Sequence, residues 1–359
     1  MAKRVTIQDV ANRAGCSRQS AGFILGGQSH KFRQDMVERV EQAAVTLGYR
    51  PNSAALAFRS GRFSAVGLLL STDRFRSSTP VELITALVVQ LEKHGLRLLI
   101  GRVPEEDLRS TERLPSLLSE WSVDGFLVKY ETGVPQEVVQ SLRNTGLPCV
   151  WMNSKYGDDH VELDDAGAMY AATRELLRLG HRHIVYADFT RGQDERWLHQ
   201  SRWLRLHGYR LAMAEAGLLE RVLCVDPIPG IDAVPSARLH RESGGWHKAQ
   251  AVIKRLLASD DRPTGWIGYS AREVSWVDHI ATTLGLRVPE DLSLVATGYA
   301  GTDLHGIRLS LMDHNQQGLA EEACELLAAR LAGRDYPQQD PVPLRWAPGG
   351  THGPAPKAL

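Results

Sequence analysis

Nothing in these 359 residues approaches the run of about twenty apolar side chains that a membrane-spanning helix needs. The opening MAKRVTIQDV is too polar for a signal peptide, so a cytoplasmic protein is expected. Cysteine is scarce: Cys16, Cys149, Cys224 and Cys324 are scattered without C-x-x-C spacing. That pattern favours buried thiols in a reducing compartment over disulfides or a metal site. Net charge is absent, with 42 basic residues against 42 acidic ones. No G-x-G-x-x-G follows a strand, which leaves a dinucleotide site unsupported. GYSAR at 268–272 lacks the second glycine of a nucleophile elbow and has no evident triad partners. His181 and His183 adjoin an expected strand, a placement that suits a helix end better than a metal ion. There is no internal repeat and no low-complexity block. No catalytic residue, cofactor or metal is expected.

What is present is concentrated in residues 1–62. Thr6 can cap a helix, with Asp9 three residues on to answer it. Ile7, Val10, Ala11 and Ala14 then fall on one face of that helix, and Gly15 ends it. Ser17 caps the next helix only two residues later. Ala21, Ile24 and Leu25 give the second helix an inner face, leaving Arg18, Gln19, Gly22 and Phe23 outward. Two short helices about a tight glycine turn, the second with a polar exposed start, predict a helix-turn-helix.

Charge sorts the same way. Residues 1–62 hold ten Lys or Arg against four acids, a surplus of six that the rest of the chain cancels. A basic head on an acidic body attracts phosphate without making the whole surface adhesive.

Downstream, short apolar runs alternate with helix-period stretches. AVGLLL at 65–70, GFLV at 125–128, HIVYA at 183–187, GWIGY at 265–269 and LSLVAT at 292–297 read as buried parallel strands. Helical patterns at 81–94, 166–179, 202–216, 245–258 and 316–332 separate such runs, which predicts an α/β body of parallel sheets with helices on both faces. There are too many strands for one core, and the length suits two or three domains.

The head resembles that of the LacI/GalR-type (lactose-repressor) family of bacterial transcription regulators. The matching residues are TIQDVA at 6–11, AGCS at 14–17 and LGYRPN at 47–52. VDGFLV at 123–128, LGHRHI at 179–184, RPT at 262–264 and GLRVPEDLSLV at 285–295 follow in the family's order, up to about Trp346. The resemblance implies an all-α helix-turn-helix domain (1–50), a hinge helix or linker (51–63) and a two-lobed, periplasmic-binding-protein-like body (64–346). It places lobe 1 at about 64–161 plus 295–318 and lobe 2 at about 162–294 plus 319–346, joined by three crossovers. Residues 347–359, rich in Gly and Pro, are expected to form a flexible tail.

Carried over residue by residue, the DNA-contacting set is Thr6, Ser17, Arg18, Gln19, Ser20 and Phe23 in the head, with Asn52, Ala55, Phe58 and Arg59 in the hinge. Arg18 suits a guanine and Gln19 an adenine. Phe58 stands where the family has a leucine wedge that opens a minor-groove base step; packing against its dimer mate is the alternative. Three positions depart from the pattern: Phe23 replaces the usual Arg, Gly22 the usual Ser, and Arg33 the usual Ser cap of the third helix. The loop 26–32 looks inserted.

The expected effector set is Asp73, Phe75, Asn153, Arg205, Trp246, Tyr269, Ser270 and Tyr299, with Trp276 near the cleft. Arg205 matches an arginine that holds a ligand hydroxyl or carboxylate; a surface or lobe–lobe role is the alternative. Two polar signatures are missing, since Ser270-Ala271 replaces Asn-Asp and Gly298-Tyr299-Ala300-Gly301 replaces Gly-Phe-Asp-Asp. An ordinary small sugar is therefore not favoured, leaving open a more apolar or aromatic ligand, or none. Three function classes stand: a DNA-binding regulator, a solute-binding protein and a nucleotide or sugar enzyme. The head has no use in the second, and the third lacks its carboxylates or phosphate loop. The expectation is a homodimeric, cytoplasmic regulator, most readily a repressor, bound to a double-stranded, pseudo-palindromic operator and to no membrane. GTHGPAPKAL offers no C-terminal leucine heptad, so a dimer and not a tetramer is expected.

Overall fold

The structure is a computed structural model and describes residues 5–49, 61–73, 76–108, 110, 112–189, 199–224 and 245–357. They fall into two compact units, 1–65 with 122–124 and the remainder.

The first unit carries α1 (Ile7–Ala14), α2 (Arg18–Ile24) and α3 (Gln34–Leu47). Thr6 and Asp9 form a reciprocal capping box, the Asp9 carboxylate accepting the Thr6 N–H at 2.8 Å. Gly15 ends α1 at φ 68°, a left-handed conformation that costs a glycine little. Val10, Ala11, Ala21 and Ile24 meet Val37, Val40, Ala43 and Ala44 of α3 in one small core. Burying each valine there is worth roughly 1.5–3 kcal/mol. Two outward expectations need correction. Gly22 is buried, and Phe23 is half-buried with its ring centroid 6.4 Å from that of Phe32. The cause is the loop 26–32, whose 3₁₀ turn (Ser29–Lys31) brings Phe32 back against α2. Arg33 caps α3 by backbone position alone and pairs with Asp35 at 3.3 Å.

The second unit contains two sheets. One has the order β2-β1-β3-β4-β5, from β1 (Ala65–Ser71), β2 (Arg97–Val103), β3 (Gly125–Val128), β4 (Cys149–Met152) and β5 (His160–Val161). The other has the order β13-β12-β9-β8-β6-β7. Its strands are β6 (Ile184–Asp188), β7 (Val222–Cys224), β8 (Gly265–Gly268), β9 (Ser293–Gly298), β12 (Ser310–Asp313) and β13 (Arg345–Ala347). A small hairpin of β10 (Asp303–Leu304) and β11 (Ile307–Arg308) lies between β9 and β12 in the chain. All the strand pairs described within the two large sheets are parallel except β12 with β13.

Helices α4 (Val81–Lys93), α5 (Glu105–Leu108), α6 (Arg113–Glu120) and α7 (Gln136–Asn144) belong to the first sheet. The helices α8 (Asp165–Arg178), α9 (Ser201–Glu215), α10 (Gly245–Leu257) and α11 (Ala271–Thr283) belong to the second. α8 and α9 approach closely at Gly208, where a Cβ would meet the Ala166 carbonyl at 2.0 Å. The last helix, α12 (Gln316–Leu331), packs on α4, β3 and β4.

This arrangement changes the expected sorting of the C-terminal part. Residues 295–318 were expected in lobe 1 and 319–346 in lobe 2, but β9 and β12 hydrogen-bond within the second sheet and α12 packs on the first. Hydrogen bonding and burial decide the sorting: Leu319, Ala323 and Leu327 bury with the first sheet's Leu68, Leu127 and Val150. The chain crosses between lobes three times, after β5, after β12 and before β13, as the family resemblance implies.

The tail is a second correction. Leu294 N–H donates to Thr351 O at 2.7 Å, Gly353 N–H to Ser293 Oγ at 3.0 Å and Ala355 N–H to Leu179 O at 2.9 Å. These bonds satisfy backbone groups along β9 and fix the strap to α8. His181 is fully buried beneath it, between Thr264 Oγ1 at 2.9 Å and the Gly353 carbonyl at 3.0 Å. Burial holds His181 and His352 below the usual histidine range. The unfolded chain therefore binds these protons first as pH falls. Their stabilisation is present above about 6.5 and is lost below it. Thermal unfolding should show a lower midpoint at pH 5.5 than at pH 7.5, with a shallower pH slope in His181→Gln.

Candidate functional site

In the head, Thr6, Ser17, Arg18 and Gln19 are exposed and Ser20 is half-buried. Ser17 Oγ accepts the Ser20 N–H at 3.0 Å and lies 2.9 Å from Ser20 Oγ. This cap spends the Ser17 and Ser20 side chains on holding the start of α2, leaving Arg18 and Gln19 to reach outward. Phe23 is committed in part to Phe32. Asn52, Ala55, Phe58 and Arg59 lie outside the described residues.

In the body, the polar residues gather at the carboxyl ends of the parallel strands, where open α/β sheets bind ligands. Asp73 follows β1, Lys129 and Glu131 follow β3, and Asn153 follows β4. Asp188 ends β6, Tyr269 and Ser270 follow β8, Tyr299 follows β9 and His314 follows β12.

Arg205, on the first turns of α9, is the hub of the lobe 2 side. Its Nε donates to Asp165 Oδ1 at 2.7 Å, and Nη1 to the Tyr269 carbonyl at 2.7 Å and Thr297 Oγ1 at 2.5 Å. Nη2 meets His314 Nε2 at 3.2 Å. A guanidinium only donates, so Nε2 of His314 accepts and its Nδ1 carries the proton. Burial opposes the Arg205 charge, but the Asp165 carboxylate and neighbouring phenols raise its pKa further. Burial, then the Arg205 and Lys129 charges, holds His314 well below the usual range, so it is neutral. The Tyr269 ring lies 4.5 Å from the guanidinium carbon, and burial pushes its phenol up to about 12. Tyr299 meets His314 edge-on at 5.0 Å; burial raises its phenol against a hydrogen bond with Ser78.

On the lobe 1 side, Lys129 Nζ and Asn153 Nδ2 both donate to Glu131 Oε1, at 2.5 and 2.9 Å. Burial would raise the Glu131 pKa, yet the Lys129 ammonium and the hydrogen bonds from Lys129 and Asn153 bring it below the ordinary value. Asp73 pairs with Arg76 at 3.3 Å.

Four buried oxygens here have no hydrogen-bond partner among the described residues: Asn153 Oδ1, Ser154 Oγ, Ser270 Oγ and Gln316 Oε1. Each such group costs about 1–3 kcal/mol unless something satisfies it. Of the expected set, the structure brings Asn153, Arg205, Tyr269, Ser270 and Tyr299 to this region, and Asp73 to its β1 edge. Phe75 and the Trp246 side chain lie outside the described residues. Trp276 is half-buried against the second core cluster, with the Arg272 guanidinium carbon 5.7 Å from its ring centroid.

Sequence reasoning missed Lys129, Glu131, His199, Ser201, Thr297 and His314. The strand-end position could have found Lys129, Glu131 and His314; nothing local marks His199. His183 pairs with Asp261, and no cluster of metal-ligating side chains occurs among the described residues. The four cysteines are unpaired. Burial pushes the Cys149 and Cys324 thiols up to about 12, which keeps them unreactive. No described helix is long and apolar enough to cross a membrane.

Residues 173–351 match the family described as periplasmic binding protein-like domain. The chain is 26% identical over 360 residues to the HTH-type transcriptional regulator GntR of Escherichia coli (strain K12), covering 97% of this chain and 99% of that one. It is 25% identical to the HTH-type transcriptional repressor PurR of Aliivibrio salmonicida (strain LFI1238), over 92% and 93% of the two chains. The fold matches the lac repressor dimer bound to operator and the anti-inducer ONPF, with a TM-score of 0.69 at 18% identity, covering 97% of this chain and 99% of that one. These relatives are named as transcription regulators. The head, the crossovers and the full-length likeness agree with the LacI/GalR-type resemblance: over nearly its whole length the chain is similar to bacterial HTH-type transcription regulators.

Proposed function

We propose that this protein is a cytoplasmic, homodimeric repressor that reads a pseudo-palindromic operator and responds to a small molecule held between its lobes. The exposed Arg18 and Gln19 at the capped start of α2 carry the first part of this reading. A polar helix start supplies donors to base edges, while the surrounding Lys and Arg residues neutralise phosphates. Arg18→Ala should relax selectivity at one position per half-site, by about 1–3 kcal/mol. Lys3→Ala or Arg4→Ala should weaken all sequences alike. Competition against a randomised duplex library separates the two outcomes. A uniform loss from Arg18→Ala would move that residue to the phosphate contacts. Phe58 is assigned the hinge wedge, an apolar side chain in a basic linker.

The dimer is supported by an uncovered apolar face of lobe 1. Val88 and Val89 of α4 are 47% and 50% exposed, and Leu99 and Ile100 stand exposed on the edge strand β2. A second copy would cover this face and the open edge. Sedimentation of Val89→Glu/Ile100→Glu should give a monomer that keeps non-specific DNA binding but loses tight operator binding. A dimer unchanged by both substitutions would place the interface elsewhere.

The effector reading rests on the four orphaned oxygens at the strand ends. They suit a small polar ligand that supplies hydrogen-bond donors. A thermal-shift screen of sugars, nucleosides and aromatic metabolites on the full chain tests it, since a ligand raises the midpoint by linkage.

A further inference from the structure

One imidazole ties the two lobes together, beside the Tyr299–Ser78 hydrogen bond. His199 Nε2 lies 2.7 Å from the Asn153 carbonyl oxygen, which can only accept. Its Nδ1 lies 3.2 Å from the Ser201 backbone nitrogen, whose N–H can only donate, and 2.8 Å from Ser201 Oγ. Both ends fix the same tautomer: a neutral ring with the proton on Nε2. Ser201 Oγ therefore donates to Nδ1 and accepts from the Tyr269 hydroxyl at 2.8 Å. The Tyr269 carbonyl in turn accepts from Arg205 and from Thr297 Oγ1.

The lobe 1 end is equally committed. Asn153 sits at φ 59°, a left-handed conformation that asparagine tolerates better than most residues. Its N–H donates to Val161 O at 2.7 Å and its Nδ2 to Glu131 Oε1 at 2.9 Å. With those two bonds holding it, its carbonyl is presented to His199. The adjacent Gln200 side chain donates to Glu162, on the first crossover.

We propose that His199 is a positioning residue that fastens lobe 2 to lobe 1 and so sets how far the cleft is closed. The ring joins two chains of bonds, Tyr269–Ser201 on one lobe and Glu131–Asn153 on the other, each anchored in buried groups. A side chain at 199 with no donor leaves the Asn153 carbonyl unpaired and loosens the lobes, leaving the Tyr299–Ser78 hydrogen bond between them. The inference deepens the proposed function only in taking lobe closure as the variable that operator affinity follows.

The test uses the full chain with fluorophores introduced through unnatural amino acids at Glu137 and Glu290, both exposed and one on each lobe. His199→Leu should shift single-molecule transfer efficiency toward wider separation. His199→Gln, which keeps a donor for Asn153 O and an acceptor for the Ser201 N–H, should stay with the parent. His199→Ala serves where His199→Leu does not fold. A parent-like distribution in the Leu and Ala variants overturns the proposal, and so does a His199→Gln variant as open as His199→Leu. On an operator selected by the parent, affinity should differ at least about 5-fold between the Leu and Gln variants. A parent that selects no operator sinks the regulator reading and leaves the transfer-efficiency result standing.

Discussion

A chain beginning at Ser64 is expected to lose operator binding by roughly 10³-fold or more, the gap between specific and residual binding. Residues 1–62 carry a surplus of six positive charges, and the rest carries an equal negative surplus. On the proposed function, removing the head removes both the side chains assigned to base reading and the basic surplus whose counterion release drives association. The remaining chain has its own sheets and cores and should keep its circular dichroism and thermal midpoint. Fluorescence anisotropy with a labelled duplex checks the loss. The intact chain should also weaken steeply and log-linearly with salt. Undiminished binding by the truncation would remove the head from the account.

The second large effect concerns Arg205. Its side chain and that of Asp165 are 7% and 1% exposed, with Nε and Oδ1 at 2.7 Å. Arg205→Leu leaves a buried carboxylate unpaired and also strips donors from the Tyr269 carbonyl and Thr297. Breaking one side of such a pair costs about 3–5 kcal/mol. For a body of this size that corresponds to a fall of roughly 10 °C in the unfolding midpoint. Arg205→Leu combined with Asp165→Asn should recover a good part, because the stranded charge is gone. Calorimetry of the two variants decides the matter. A single variant as stable as the parent would mean that the pair is solvated and that Arg205 is free to serve a ligand.

Local signals made the head legible. The Thr6–Asp9 box, the Gly15 stop and the Ser17 cap each involve residues within four positions of one another. Phe23 was misjudged because its partner, Phe32, arrives through a loop whose 3₁₀ turn has no clear composition cue. In the body, the apolar runs gave the strands, but not the sheet each joins. The crossover at His314 to Gln316 carries no periodicity, so sorting β12 from α12 required the packing of Leu319 and Leu327. The tail's glycines and prolines suggested turns and said nothing of Leu179, Ser293 and Leu294, which hold it. The site divides the same way. Arg205 and Tyr269 were found from motif position, whereas His199 acquires its role from Asn153, 46 residues away.

Selection from a randomised duplex library by the intact, unlabelled chain tests the central claim most directly. The account predicts enrichment of an inverted repeat, with half-sites related by a dyad and one head on each. Enrichment should vanish with the chain that begins at Ser64 and relax at one position per half-site with Arg18→Ala. No enriched sequence, or a single site without dyad symmetry bound equally well by the truncated chain, would contradict it.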